Sequence, residues 1–206
     1  MKAVARVVIG LAFAIAAIWA KAHAPDDYDH RYAPLVAYGH VGSPVTVGGF
    51  AVKVENVSAA RSVTSAEGEI IRPDGVFVIV AASARSLRKP LSLSTAMLRT
   101  RDGREFRGSV KGVTIPIGGT LDGVTLGPGL WHHGVLVFEI PPSQLAGSTL
   151  LLSDRFPNEN DPPSGFPPFG FELTAQANIS LGLDDDRARR LVSGASEGIT
   201  IRGERT

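Results

Sequence analysis

Two groups of side chains in this 206-residue chain have the types that chemistry needs. Trp131-His132-His133 places two imidazoles side by side, which suggests a metal. Successive residues on a strand point to opposite faces, however, so adjacent histidines cannot share one ion. The position reads better as a strand entry, with Trp131 covering the edge of the core. Asp154, Asn158, Glu159, Asn160 and Asp161 supply oxygen donors on one stretch. Calcium takes about six to eight oxygens, but this spacing lacks the order of a helix-loop-helix calcium site. A solvated loop is the simpler reading. For hydrolysis, no G-x-S-x-G elbow precedes a helix, and no H-E-x-x-H pattern occurs. The chain has no cysteine, which removes disulfides, thiolate metal sites and a thiol nucleophile. No catalytic, metal-ligating or cofactor-binding residue is therefore assigned, and a hydrolase or other enzyme built from dispersed loop residues stays as the alternative.

Two further groups point to binding. Arg85, Arg88, Lys89, Arg99, Arg101, Arg104, Arg107 and Lys111 are opposed only by Asp102 and Glu105. On adjacent strands they would make a positive face, with Arg99, Arg101, Arg104 and Arg107 as candidates for contact with anionic lipid or an envelope polymer. The second group is Phe156, Phe166, Phe169 and Phe171, set among prolines at 157, 162, 163, 167 and 168. A polar loop rarely carries four phenylalanines. They either pack back onto the fold or grip a protein partner, and the prolines would lower the entropy lost on binding.

The elements that must hold these residues are strands. Residues 49–57 (GFAVKVENV) alternate, with Phe50, Val52 and Val54 inward and Lys53 and Glu55 outward. Residues 75–84 (GVFVIVAASA) and 133–140 (HGVLVFEI) are nearly continuous apolar runs, which reads as central strands of one core. Asp102-Gly103 signals a hairpin between strands at 93–100 and 105–109. Shorter strands are expected at 121–126, 149–153, 171–179 and 198–202, and a helical turn at 143–146. Residues 184–193 (DDDRARRLVS) are helical, with acids in the first turn and Gly194 at the end.

The N-terminal residues give the address. Residues 7–20 are wholly apolar, flanked by Lys2, Arg6 and Lys21. They fit the h-region of a secretory signal, followed by Ala22-His23-Ala24 as a cleavage motif. With snorkelling Arg6 and Lys21, residues 3–22 also suffice to span a bilayer. Pro25 stands directly after the motif, and a peptidase that grips an extended strand cleaves poorly before a proline. The segment is therefore expected to stay as a single-pass anchor with an extracytoplasmic C-terminal domain; removal and secretion is the alternative. Without Lys2, Arg6 and Lys21, 18 basic residues face 20 acidic ones. That balance gives no ground for nucleic acid.

The order of the pieces carries a resemblance. Gly75-Val76-Phe77-Val78-Ile79-Val80 opens a buried strand; Asp102-Gly103, Leu126-Gly127-Pro128-Gly129, Gly134–Glu139 and Ile140-Pro141 follow. Over residues 45–153 this resembles the telokin-like immunoglobulin-fold family of unknown function on exported proteins of Gram-positive bacteria. The lipid-anchor cysteine common there is missing here. The resemblance implies an extracytoplasmic role in binding or envelope maintenance and supplies no catalytic residue.

The expected molecule is thus all-β. It is an immunoglobulin-like β-sandwich with an N-terminal transmembrane or signal helix and a short C-terminal helix. The expected divisions are an anchor or signal over 1–24, a linker over 25–44, the sandwich over 45–153 and a C-terminal extension over 154–206 packed on it. Its expected role is a non-catalytic binding or accessory module in a membrane-protein complex of the bacterial envelope, with a structural spacer as a further alternative. The partners are the membrane, through the N-terminal helix, a protein of the envelope, and anionic lipid or polymer.

Overall fold

The computed structural model describes residues 13, 15, 18, 19, 35–64, 68–93, 95–108, 121, 124–154 and 175–200. The chain divides into two units, Met1–Ala33 and Pro34–Thr206. In the first, Phe13, Ile15, Ile18 and Trp19 are helical and exposed. The rest of the expected anchor lies outside the described residues. Among the described residues no helix is long and apolar enough to cross a membrane.

The second unit is a β-sandwich. One sheet pairs, in order, β1 (Leu35–His40), β13 (Ala175–Ser180), β12 (Thr149–Ser153), β8 (Thr95–Arg99) and β9 (Glu105–Arg107). The facing sheet orders β11 (His132–Ile140), β6 (Val76–Ser86), β3 (Phe50–Ala60) and β2 (Pro44–Val47). The core between them follows from period-two alternation. Phe50, Val52, Val54, Val78, Val80, Leu136, Phe138 and Ile140 come from one sheet, and Leu98, Leu150, Leu152, Ala177 and Ile179 from the other.

β6 is buried on both faces because a second layer covers its outer side. β4 (Val63–Thr64), β5 (Ile70–Ile71) and β14 (Ile199–Thr200) form a small sheet. Beneath it Phe77, Ile79 and Val137 pack with Ala60 and Val63 as a second apolar cluster, joined by Ile71 and Ile199. The continuous run in β6 thus has a physical cause. The expectation that β11 is equally central needs correcting. Among the described residues β11 pairs with β6 alone, so it stands at the edge of the described sheet. Its apolar stretch is explained by the same covering layer, which reaches Val137 and Val135.

The expected domain limits also shift. Residues 35–40, inside the stretch read as a linker, form β1 and pair in parallel with β13. β13 lies between β1 and β12, so the C-terminal segment supplies an inner strand of the sandwich. The one described helix of this unit, α1 (Asp185–Ser193), starts where the Asp184 side chain accepts a hydrogen bond from the Arg187 N–H (2.7 Å). It ends at Gly194, whose N–H donates to the Arg190 carbonyl. Ala188 faces the core. The turn at 142–144 is a 3-10 helix. A two-stranded piece, β7 (Leu91–Ser92) with β10 (Thr125–Leu126), closes the list of paired elements.

Candidate functional site

The β8–β9 hairpin carries Arg99, Arg101, Arg104 and Arg107. Its loop is set by Gly103 at φ +86°, a left-handed conformation that glycine adopts without strain. The Gly103 N–H donates to the Thr100 carbonyl (3.1 Å), closing the turn that Asp102-Gly103 foretold. Arg99 and Arg107 face outward from the first sheet, since their partners Glu105 and Met97 share that face in the pairing. Three of the four cations meet carboxylates. Arg99 Nη2 lies 2.8 Å from Glu105, Arg104 Nε 3.2 Å from Asp102, and Arg101 Nη1 3.7 Å from Asp185 of α1. A hydrogen bond from the Thr100 hydroxyl holds the Asp102 carboxyl below the usual carboxylate range. The Arg104 backbone N–H and its guanidinium add to that, while desolvation opposes it. The expected single positive face is not formed: Arg85 stands on β6 in the other sheet, so it and Arg99 belong to different faces of the sandwich. Lys111 lies outside the described residues.

Two hollows lie beside α1, and the second of them adjoins this hairpin. One, of about 500 Å³, lies between α1 and the 142–144 turn and is lined by Arg61, Pro142, Ala146, Asp185, Ala188 and Val192 among others. The other, of about 360 Å³, is lined by Thr100, Arg101, Asp102, Ser143, Gln144 and Asp185 with Ala146. Their charged walls are already engaged: Arg101 with Asp185, Arg189 with Asp186, Arg61 with Glu197.

The outer face of the second sheet assembles a group that sequence reasoning missed. The pairing of β3 with β6 slips between Val54 and Asn56, so Glu55 is the extra residue of a β-bulge. The slip reverses the parity of β3, turning Val57 and Ala59 inward and aiming Glu55 along the face. Ser83 of β6 donates its hydroxyl to Glu55, and His133 Nδ1 lies 3.4 Å from the same carboxylate. His133 stands directly across from Ser83, and Lys53 flanks Ser83 on the other side. In a nucleophilic relay the imidazole must lie between the hydroxyl and the acid. Here the carboxylate lies between hydroxyl and imidazole, which fixes both and activates neither. His132 points away, its Nε2 accepting a 3.3 Å hydrogen bond from the Gly127 N–H. The two imidazoles diverge as strand geometry requires.

Trp131 does not cover the core edge as expected. It is 38% exposed, and the Arg85 guanidinium lies 4.7 Å from its ring centroid, a cation–π contact. Arg85 Nε is enclosed there without an acceptor. Asp154, the first of the proposed oxygen donors, accepts a hydrogen bond from the Ala175 N–H (3.2 Å) and so starts β13. Residues 158–161 lie outside the described residues. So do Phe156, Phe166, Phe169 and Phe171, the expected partner grip. Among the described residues no three histidine or acidic side chains converge as a metal group.

No protein-family model matches the chain, and no curated protein does. Solved structures do. The yjhA protein of Bacillus subtilis superposes with a TM-score of 0.50 at 19% identity, over 69% of this chain and 99% of its own. MPT63, a secreted protein of Mycobacterium tuberculosis, gives 0.45 at 14% identity, over 70% of this chain and 96% of its own. An uncharacterized β-sandwich protein of Clostridium difficile gives 0.40 at 11% identity, over 69% and 92%. The likeness to the Bacillus protein is one of fold: the second unit is a mostly-β sandwich with one short α-helix among its described residues.

Proposed function

We propose that this protein is a non-catalytic binding or accessory module at the bacterial cell envelope. Residues 3–22 would tether it, and the immunoglobulin-like sandwich of the telokin-like kind would stand outside the cytoplasm within a membrane-protein complex. The observation that carries the reading is the state of the charged groups in the concave regions. Around both hollows and on the outer sheet face, acids and bases pair with each other across elements, as Arg101 does with Asp185 and His133 with Glu55. Such pairs fix a surface for recognition; a catalytic site instead leaves one group poised against the substrate.

The apolar N-terminal run supports the tether, and Pro25 supports its retention. Segment 156–171, with its five prolines, is the proposed grip for the partner, carrying aromatic anchors of the kind interfaces favour. Capture through a C-terminal tag from detergent-solubilised native membranes tests the assembly. The full chain should migrate in native electrophoresis as a complex larger than itself. Phe166→Ser with Phe169→Ser should release that partner with little change in melting temperature. A monomeric species from native membranes would overturn the complex, and a large loss of stability in the double variant would make the rings part of the fold.

A further inference from the structure

One end of the second sheet carries exposed apolar side chains together with cations. The last residue of β6 and the turn before β11 are stitched together: Ser86 bridges to Pro128, and the Gly129 N–H donates to the Ser86 carbonyl (2.9 Å). The Leu87 N–H donates to the Gly49 carbonyl (2.9 Å), which ties the β2–β3 turn to the same end. These bonds tie the backbone that leads into Leu87 to the turn that leads into Leu130 and Trp131. Leu87 is 36% exposed, Leu130 67% and Trp131 38%. Two aliphatic chains and an indole thus project from a hydrogen-bonded tip rather than from a loose loop.

The charges that residues 85–89 and 127–131 carry are of one sign. Residues 85–89 contribute Arg85, Arg88 and Lys89, and neither they nor residues 127–131 include an acid. Arg85 is held against the Trp131 ring, and Arg88 is exposed. Among the described residues no carboxylate pairs with Arg85 or Arg88. This is the reverse of the β8–β9 hairpin, where Arg99, Arg101 and Arg104 have carboxylate partners and no exposed large apolar residue stands among them.

We propose that the Leu87–Leu130–Trp131 tip is a contact site for an anionic lipid bilayer. Leucines enter the acyl boundary, an indole suits the interface because one part is apolar and its N–H is polar, and the arginines meet lipid phosphates. Exposed leucines select the bilayer over an anionic sugar polymer, whose hydroxylated rings stack on an indole but gain nothing from aliphatic chains. The inference rests on the membrane-proximal, extracytoplasmic reading above. It moves the anionic contact expected of the β8–β9 hairpin to the opposite sheet.

The chain's two tryptophans, Trp19 and Trp131, allow the tip and the tether to be tested separately. The full chain is reconstituted as two single-tryptophan forms, Trp19→Phe and Trp131→Phe. The vesicles are phosphatidylglycerol or phosphatidylcholine with brominated acyl chains, which quench only an indole that touches them. In the Trp19→Phe form, Trp131 emission should shift to shorter wavelength and be quenched in phosphatidylglycerol. Quenching should weaken as salt rises and be largely lost in phosphatidylcholine. Leu130→Ser and Arg88→Gln, both at exposed positions, should each reduce it. Quenching of Trp19 in the other form reports the tether alone. If Trp19 is quenched while Trp131 keeps its solvent emission, the tip proposal fails and the tether stands. If Trp131 is quenched and Trp19 is not, the tether reading fails and the tip stands. Equal Trp131 quenching in both lipids would overturn the anionic preference. A Trp131 shift on adding a sugar polymer, with no bromine quenching, would replace the bilayer by that polymer.

Discussion

Asp102 illustrates how far a single residue of the hairpin was legible. Its dipeptide with Gly103 gives the turn directly, because the left-handed residue is set by steric rules. Its charge environment was not legible, since the Thr100 hydroxyl that lowers its pKa acts only once the turn has closed. The folded carboxyl should therefore titrate below an ordinary aspartate in a pH series followed by carboxyl NMR. The sign is that of a depressed acid: its share of stability is present above the unfolded pKa and disappears as pH falls through the folded midpoint. Thr100→Val removes the principal hydrogen bond and should move the Asp102 midpoint upward. An unmoved midpoint would assign the shift to Arg104. The Glu55–Ser83–His133 group was hidden for a related reason. Alternation places Glu55 outward, but its reach toward Ser83 depends on the bulge between Val54 and Asn56, whose mark in the sequence is a one-residue step from Val54 to Val57 in the apolar alternation.

At the scale of elements, strong apolar periodicity carried the long strands, and weak or remote pairing did not. β6 was readable from its nearly continuous apolar run and β3 from the alternation of Phe50, Val52 and Val54 ahead of its bulge. β1 was not, since LVAYGH is mostly exposed or half-buried and gains its order from pairing with β13, about 140 positions later. β4 and β5 are two residues each, too short for any period to show, whereas the equally short β14 falls inside the strand expected at 198–202. Their role is nonetheless testable. Phe77 is fully buried beneath them, so Phe77→Ala should cost about 3–5 kcal/mol in chemical denaturation. A near-neutral result would mean that the outer cluster is not packed. The inner strand β13 gives a sharper test of the boundaries. A chain ending at Asp154 keeps the whole stretch 45–153 yet removes the shared partner of β1 and β12. It should fail to give a cooperative melt, whereas an independent 45–153 domain would melt normally.

For the whole molecule, the two sheets present different surfaces. The first sheet's edge carries arginines that are largely neutralised by nearby acids, a pattern worth little in stability when exposed. The second sheet's end carries cations beside exposed aliphatic and indole groups. A sandwich with this asymmetry suits a module that lies against something. The fold is shared with the Bacillus protein at 19% identity, so the likeness extends to architecture and not to a function. The central claim is that residues 3–22 hold the domain at the outer side of the membrane. Intact mass of the native protein, taken from the membrane fraction of cells first treated with external protease or left untreated, tests it most directly. Untreated cells should yield a membrane-bound chain beginning at Met1, and external protease should remove the sandwich. A membrane-free species beginning near Pro25, or a chain protected from external protease, would contradict the account.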